Sequence, residues 1–307
     1  MGLGIVLIGQ AAFAEQVLRG LLARGDEVAA VYCPPDAGGR SDPLTQLAVA
    51  SSIPCRQPAS YKSEAVRAEI AALATDLLIL AYVTQIVPLT VIELPRLGSI
   101  CFHPSLLPRY RGGSAINWVL INGETETGIT VFWPDAGIDT GPILLQKPIP
   151  VGPDDSAGSL YYQRILPAGV ALVLESVTSI EAGRAPRIPQ DESRATYDPL
   201  CRDAHAAIDW ARPAAVLHNL IRGCDPQPAA YTVAKGRARL RLYESRCAEG
   251  SAPSGTILAL DAGTLVVAAG EGALRLGKAC VDGTRDKGPA AEVAAALSLD
   301  VAGGEQD

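Results

Sequence analysis

Short apolar runs alternate with segments of helical periodicity in the first part of the chain. Residues 3–9 are nearly all apolar and end at a glycine, which is typical of a buried parallel strand. Residues 11–24 carry apolar side chains at helical spacing, and the glycine that follows suits a left-handed helix C-cap. Residues 27–32 form the next apolar run. This order predicts a β–α–β unit at the start of the chain.

The alternation of strands and helices continues to residue 182. Further strands are predicted at residues 76–82, 99–102, 128–133 and 143–150. Further helices are predicted at residues 44–50, 63–73, 114–122 and 157–182. Such an order is typical of the α/β class, and it predicts a Rossmann-like open, mostly parallel sheet with flanking helices.

The character of the chain changes after residue 187. A polar, proline-interrupted segment predicts a linker over residues 188–207, and short alternating strands follow beyond residue 229. Evenly spaced short strands predict a small C-terminal β-barrel of the OB-like kind. We therefore expect a catalytic domain over residues 1–187, a barrel domain over 208–285 and a flexible tail over 286–307.

Composition limits which cellular compartment and which binding partners are expected for this chain. The seven cysteines are dispersed with no C-x-x-C pair, which favours a reducing cytoplasm and predicts no zinc site. No apolar run reaches the ~18 residues of a membrane span, so no membrane association is expected. The formal net charge of −7 gives no help in binding a polyanion, so nucleic acid is an unlikely partner. The turn at residues 9–13 lacks a glycine-rich signature, so no bound nucleotide is expected.

One of the three histidines lies at the end of a predicted strand. His103 follows the apolar run at residues 99–102, where an open parallel sheet places its chemistry. Asp139 lies at the end of the next apolar segment and could hold and charge-balance the imidazole. The pair suggests proton transfer at an acyl or formyl carbon.

Three motifs carry a resemblance to a known family. Residues 97–112 read LGSICFHPSLLPRYRG, residues 128–133 read GITVFW and residues 137–141 read GIDTG. Together they resemble the folate-dependent formyltransferases, which use 10-formyltetrahydrofolate as formyl donor. The closest resemblance is to the N-terminal hydrolase domain of 10-formyltetrahydrofolate dehydrogenase, and methionyl-tRNA formyltransferase is related. SAINW at residues 114–118 and LLQK at residues 144–147 support that closeness.

The resemblance implies roles for particular residues. His103 would act as base or oxyanion donor, and Asp139 would favour the protonated imidazole by its charge or accept a proton itself. Residues at the end of a strand would form one wall of the pterin pocket: Tyr82, Val83, Gln85 and Ile86. A loop would form another: Asp135, Ala136, Gly137 and Ile138. Gly137 would let the loop backbone approach the flat pterin closely.

Cys101 departs from the common family pattern. Most members carry an asparagine there as an amide donor to the oxyanion, whereas a thiol is a weak donor. The loss of one such donor costs roughly 10²–10³ in rate in other enzymes. The hydrolase domain of the dehydrogenase also lacks this asparagine, which favours that branch. Cys101 could be a formyl-accepting nucleophile, but a small space-filling thiol is the favoured interpretation.

Four other polar residues lie in or near the same motifs. Ser105 is assigned to hydrogen bonding within its loop, because its position is unsuited to a catalytic triad. Asp135 either bounds the pterin loop or caps a turn. Arg109 and Arg111 either bind the acceptor or folate tail or are solvated loop charges.

Three formyl acceptors are considered. Water would make the chain a formyltetrahydrofolate hydrolase giving formate and tetrahydrofolate; a small amine such as an amino sugar would make it an N-formyltransferase. Initiator methionyl-tRNA is less favoured, because residues 34–42 offer one arginine against two aspartates where tRNA-binding members carry a basic insertion. A non-enzymatic folate-binding module is least favoured, since it has no need of His103 beside Asp139. The oligomeric state stays open, with a homodimer as one option.

Overall fold

The computed structural model describes residues 2–36, 38–233, 239–284 and 286–297. These residues divide into two compact units that alternate along the chain. The first comprises Met1–Gly113, Thr127–Ile149 and Tyr162–Asp198, and the second comprises Ser114–Glu126, Pro150–Tyr161 and Pro199–Asp307. Residues 188–198, the first part of the predicted linker, thus group with the first unit. The linear division at residue 187 stays a prediction.

The first unit is built on a seven-stranded sheet. Its strands are β1 Gly4–Gly9, β2 Glu27–Tyr32, β3 Cys55–Arg56, β4 Leu77–Ala81, β5 Ser99–His103, β6 Glu126–Phe132 and β7 Ile143–Pro150. They lie in the order β3-β2-β1-β4-β5-β6-β7. The pairs from β3 to β5 are parallel, and β6 runs antiparallel to β5. This confirms the predicted mostly parallel α/β sheet, whose strand order reverses between β1 and β4.

Among the described residues before the predicted linker there are seven α-helices. They are α1 Ala11–Arg24, α2 Pro43–Ala50, α3 Glu64–Ala72, α4 Leu89–Ile92, α5 Ala115–Ile121, α6 Ala157–Leu160 and α7 Leu166–Glu181. The single helix predicted over residues 157–182 is wrong in one respect, because a π-helical turn at Tyr161–Ile165 separates α6 from α7. Pro167 lies in the first turn of α7, where no helical hydrogen bond needs its missing backbone N–H. In an uninterrupted helix the same proline would have removed one such bond.

Aromatic packing fixes the strand that carries His103. Phe102 of β5 is buried and stacks on Phe13 of α1, with ring centroids 4.2 Å apart. Gly169 of α7 faces this pair, and a Cβ added there would lie 2.6 Å from the Phe102 ring. Because side chains alternate along a strand, fixing Phe102 in the core directs His103 to the other face.

The second unit contains an antiparallel sheet and helices. After α8 Ala214–Cys224 come β8 Tyr231–Val233, β9 Arg239–Ala248, β10 Ile257–Asp261, β11 Thr264–Ala268, β12 Ala273–Val281, β13 Gly288–Pro289 and α9 Ala290–Ala296. The strands lie in the order β10-β11-β12-β9-β8, with β13 paired to β12. Leu217 and Ile221 of α8 are buried against Leu240 of β9 and Leu274 of β12. The small C-terminal β domain that was predicted as a barrel is thereby confirmed, and its strands form an antiparallel sheet.

The predicted flexible tail contains an ordered helix. Ala290 and Ala294 of α9 are fully buried in the core of the second unit. Sequence periodicity does not reveal such a helix, because alanine packs closely without a strong apolar signal. The rest of the predicted tail, residues 298–307, lies outside the described residues. Within the part of the chain that is described, no helix has both the length and the apolar character needed to cross a membrane.

Candidate active site

His103 ends β5 and lies in the interior, 5 % exposed. Its Nε2 atom lies 2.8 Å from the backbone carbonyl oxygen of Tyr110. A carbonyl only accepts hydrogen bonds, so this contact assigns the ring hydrogen to Nε2. The other ring nitrogen, Nδ1, lies 3.5 Å from Oδ2 of Asp139. Nδ1 is therefore the nitrogen that is available to exchange a proton.

Asp139 lies in the loop between β6 and β7 with its carboxylate turned toward His103. Its Oδ2 atom accepts a hydrogen bond of 2.8 Å from the backbone N–H of Gly112. The residue has φ 56°, a left-handed conformation that is uncommon for a residue other than glycine. The carboxylate is thus placed by a strained backbone and a backbone amide, and it can stabilise positive charge on the imidazole.

Cys101 precedes His103 by two residues on β5. Burial of its thiol, and next the nearby Asp139 carboxylate, raise the pKa well above that of a free cysteine. The thiol therefore stays protonated at neutral pH, which is unfavourable for a nucleophile and agrees with a space-filling role. The three residues considered for the chemistry lie together: His103, Asp139 and Cys101.

The loop before Asp139 is organised by its own side chains. Oδ1 of Asp135 accepts hydrogen bonds from the N–H of Gly137 at 3.0 Å and the hydroxyl of Thr140 at 2.5 Å. Of the two roles considered for Asp135, the structure shows the turn cap. A Cβ at Gly137 would lie 2.1 Å from the Thr140 hydroxyl. Glycine is thus required for packing within the loop, a reason that differs from the predicted approach to a pterin.

The residues predicted to bind the cofactor fall into two groups. Val83 and Gln85 line a small cleft together with Gln10 and Tyr61, at the point where the strand order reverses. Oε1 of Gln85 and the hydroxyl of Tyr61 are buried there without a hydrogen-bond partner among the described residues. The second group consists of exposed residues: Tyr82, Ile86, Asp135, Ala136, Gly137 and Ile138.

Tyr82, Ile86 and Ile138 are large apolar side chains left 42 %, 71 % and 54 % exposed. Gln10 and Tyr61 were not predicted from the sequence to line a binding site. Nothing in their local pattern distinguishes them, because they meet Gln85 only through the strand order.

Arg111 has neither of the roles that the sequence left open. Its side chain is 7 % exposed and forms a two-point ion pair with Glu192, at 2.9 and 2.6 Å. It also donates two hydrogen bonds to Oε1 of Gln190. Glu192, and next the nearby Asp139 and Asp135 charges, raise the pKa of Arg111, whereas burial lowers it. Arg111 is therefore an internal connector, and Gln190 and Glu192 come from the segment predicted as a linker.

Ser105 has the role predicted for it. The residue is fully buried, and its hydroxyl donates a 2.6 Å hydrogen bond to the carbonyl oxygen of Arg109. The Arg109 guanidinium lies over the Tyr110 ring, 5.3 Å from its centroid. Loop hydrogen bonding by Ser105 is confirmed.

Family models match most of the chain. Residues 4–177 match the model described as formyl transferase, and residues 201–288 match that of the formyl transferase C-terminal domain. The methionyl-tRNA formyltransferase of Trichlorobacter lovleyi is 39 % identical over 279 residues, which are 89 % of this chain and 88 % of that protein. The cytosolic 10-formyltetrahydrofolate dehydrogenase of Xenopus tropicalis is 41 % identical over 256 residues, 82 % of this chain but only 28 % of that protein.

Solved structures share the fold at low identity. HypX from Aquifex aeolicus, in complex with tetrahydrofolic acid, superposes with a TM-score of 0.73 at 19 % identity over 98 % of this chain and 48 % of that one. WlaRD, a sugar 3N-formyl transferase solved in the presence of dTDP and 5-N-formyl-THF, gives a TM-score of 0.69 at 19 % identity, covering 93 % and 100 % of the two chains.

Proposed function

We propose that this chain, which belongs to the formyl transferase family, transfers the formyl group of 10-formyltetrahydrofolate to water or to a small amine. The observation that carries the proposal is the pair of His103 and Asp139, with Nδ1 facing the carboxylate at 3.5 Å. Formyl transfer needs one group that first accepts a proton and later returns it, and this pair suits both steps.

In the proposed first step, the acceptor attacks the formyl carbon. A bond forms between the acceptor oxygen or nitrogen and the carbon, and the carbonyl electrons move to the formyl oxygen. Nδ1 of His103 takes the proton that the acceptor loses, because the Tyr110 carbonyl keeps the other hydrogen on Nε2. The Asp139 carboxylate offsets the positive charge that then develops on the ring.

In the proposed second step, the tetrahedral intermediate collapses. The bond between the formyl carbon and N10 of the folate breaks, and the proton held on Nδ1 passes to N10. With water as acceptor the products are formate and tetrahydrofolate. Cys101 contributes a protonated thiol near this centre, and the weak donor strength of a thiol leaves the oxyanion with less stabilisation than an amide would give.

Folate binding is assigned to the two groups of residues described above. Gln85 and Tyr61, which line the cleft, each carry a buried polar atom with no hydrogen-bond partner in the described part of the chain. Such atoms fit a heteroaromatic ring that carries donors and acceptors on its edge. The exposed apolar side chains of Tyr82 and Ile138 suit the flat faces of the same ligand.

Methionyl-tRNA formylation is a second candidate, favoured by a relative of that name that matches this chain along 88 % of its own length. Charge argues against it. Asp42 accepts hydrogen bonds from the N–H groups of Ala11 and Leu44, and Asp36 accepts one from the side chain of Gln57. Asp36 and Asp42 are thus tied to neighbouring residues, and the sequence at 34–42 has one arginine against two aspartates to neutralise phosphates.

The acceptor is tested by incubating the purified chain with 10-formyltetrahydrofolate and following release of tetrahydrofolate. Parallel reactions contain no added acceptor, a panel of amino sugars and amino acids, or charged initiator methionyl-tRNA. We expect release of tetrahydrofolate in the reactions that contain no tRNA. Formylation of methionyl-tRNA far faster than every other reaction would replace our proposal by the second candidate. No release of tetrahydrofolate in any reaction would contradict both and leave a folate-binding module.

A further inference from the structure

Gln190 uses all the hydrogen-bonding capacity of its side-chain amide at the catalytic loop. Nε2 donates to the carbonyl oxygens of Asp139 at 2.8 Å and Gly141 at 2.7 Å. Oε1 accepts from Nε of Arg111 at 3.2 Å and from Nη2 at 2.8 Å. An amide has two donor hydrogens and two acceptor lone pairs, so none is left for a ligand. The role of Gln190 is therefore to hold other groups.

Arg111 anchors this amide. Its guanidinium is buried and paired with Glu192, and its backbone N–H donates to the carbonyl oxygen of Thr196 at 3.0 Å. The arginine lies one residue before Gly112, whose N–H binds the Asp139 carboxylate. Gln190 and Gly112 thus hold Asp139 at two points, one through its carbonyl and the other through its carboxylate.

Asp139 needs such support because of its backbone. A non-glycine residue at φ 56° lies in the strained left-handed region and persists only where the surroundings fix it. A Cβ at Gly141 would lie 1.8 Å from the carbonyl oxygen of Trp133, so the loop is also tightly closed at its far end. Gln190 bridges the carbonyl groups of Asp139 and Gly141, on either side of Thr140. Among the described residues, these three form no backbone–backbone hydrogen bond.

We propose that Gln190 is a positioning residue: by holding the carbonyls of Asp139 and Gly141 it sets the distance of the Asp139 carboxylate from His103. Its catalytic consequence rests on the proposed function, and its structural consequence does not. A glutamate cannot replace it, because an ionised carboxylate has no hydrogen to donate and would face two carbonyl oxygens.

The test compares Gln190→Glu with Asp191→Asn. The first removes the two donors at constant size and keeps the acceptor for Arg111. The second is a matched exchange on the next residue, whose carboxylate caps a local turn by accepting from Ser193. We expect Gln190→Glu to lower kcat by about 10- to 100-fold, as for a catalytic group displaced by about 1 Å, with the KM for 10-formyltetrahydrofolate nearly unchanged. Asp191→Asn should keep both constants.

A second readout needs no turnover. The chain has three histidines, so ¹⁵N-histidine spectra are simple, and His103→Ala assigns the His103 signals. Gln190→Glu should shift those signals and Asp191→Asn should leave them in place. If Gln190→Glu does not fold, Gln190→Met, which removes both polar atoms without adding charge, takes its place. Unchanged His103 signals and kcat would overturn the inference. Shifted signals in a chain without any turnover would refute the proposed function alone.

Discussion

At the scale of single residues, His103 and Asp139 differ in what holds them. The histidine is fixed by a carbonyl that defines its tautomer, whereas the aspartate is fixed by a backbone amide and by the bonds to its own carbonyl. Removing either side chain should therefore affect chemistry more than binding, because neither lines the cleft at Val83 and Gln85.

We predict that His103→Ala and Asp139→Asn each lower kcat by about 10²- to 10⁴-fold, the usual contribution of acid–base catalysis. Asparagine keeps an oxygen for the Gly112 N–H but loses the charge that stabilises imidazolium. Release of tetrahydrofolate measures the rate, and a fluorescence titration with tetrahydrofolate measures binding, which should change by less than about threefold. A fully active Asp139→Asn variant would contradict the electrostatic role of the carboxylate.

Cys101 supports a second prediction at this scale. Cys101→Asn places an amide donor where the thiol now lies, and we expect the rate of formyl transfer to rise by about 10-fold, less than the roughly 10²–10³ that a preorganised donor contributes. Cys101→Ala is the matched control and should stay within about threefold of the wild-type rate. A complete loss of activity in both variants would show that the thiol itself takes part in the reaction.

Individual residues also show how much of the candidate site could be predicted from the sequence. His103 and Asp139 stand out in the sequence because each ends an apolar run. Ser105 stands out because it follows His103 by two residues. Gln190 does not stand out, since it lies in a polar segment that is typical of a linker. Its four hydrogen bonds are all to residues at least 49 positions away. No local pattern encodes contacts of that length.

At the scale of elements, the placement of β5 depends on close contact with α7. Gly169→Leu would drive a side chain into the Phe102 and Phe13 rings. We predict that it lowers the free energy of unfolding by about 2–3 kcal/mol, as for an overpacked core. Urea unfolding monitored by circular dichroism measures this.

The matched control is Ala171→Leu, which adds the same side chain to the exposed face of α7. It should change the free energy of unfolding by no more than about 0.5 kcal/mol. If the two variants unfold at the same urea concentration, the contact between α7 and β5 is looser than the structure shows. Most of the longer elements were predictable from periodicity. The short elements β3 and α4, the π-helical turn and α9 were not, because two to seven residues, or a run of alanines, carry only a weak periodic signal.

At the scale of the whole molecule, the second unit contains a half-buried histidine outside the candidate active site. In the second unit, His218 of α8 is bonded through Nδ1 to the hydroxyl of Ser245 at 2.8 Å and through Nε2 to the carbonyl oxygen of Pro153 at 2.9 Å. Burial, and next the Arg222 charge, lower its pKa below the ordinary 6.5, although the Pro153 carbonyl opposes the change. The folded chain thus holds a neutral ring that the unfolded chain would protonate.

This difference predicts a pH dependence of stability. Because the unfolded state binds a proton more readily, the contribution of His218 is fully present above pH ~6.5 and is lost as pH falls below it. The free energy of unfolding of the wild-type chain should therefore decrease between pH 7.5 and pH 5.5 more steeply than that of His218→Gln, and the gap between the two should close at the lower pH. His205→Gln, which changes a histidine packed edge-on against Trp118, is the control. Parallel curves for wild type and His218→Gln would show that the ring titrates equally in both states.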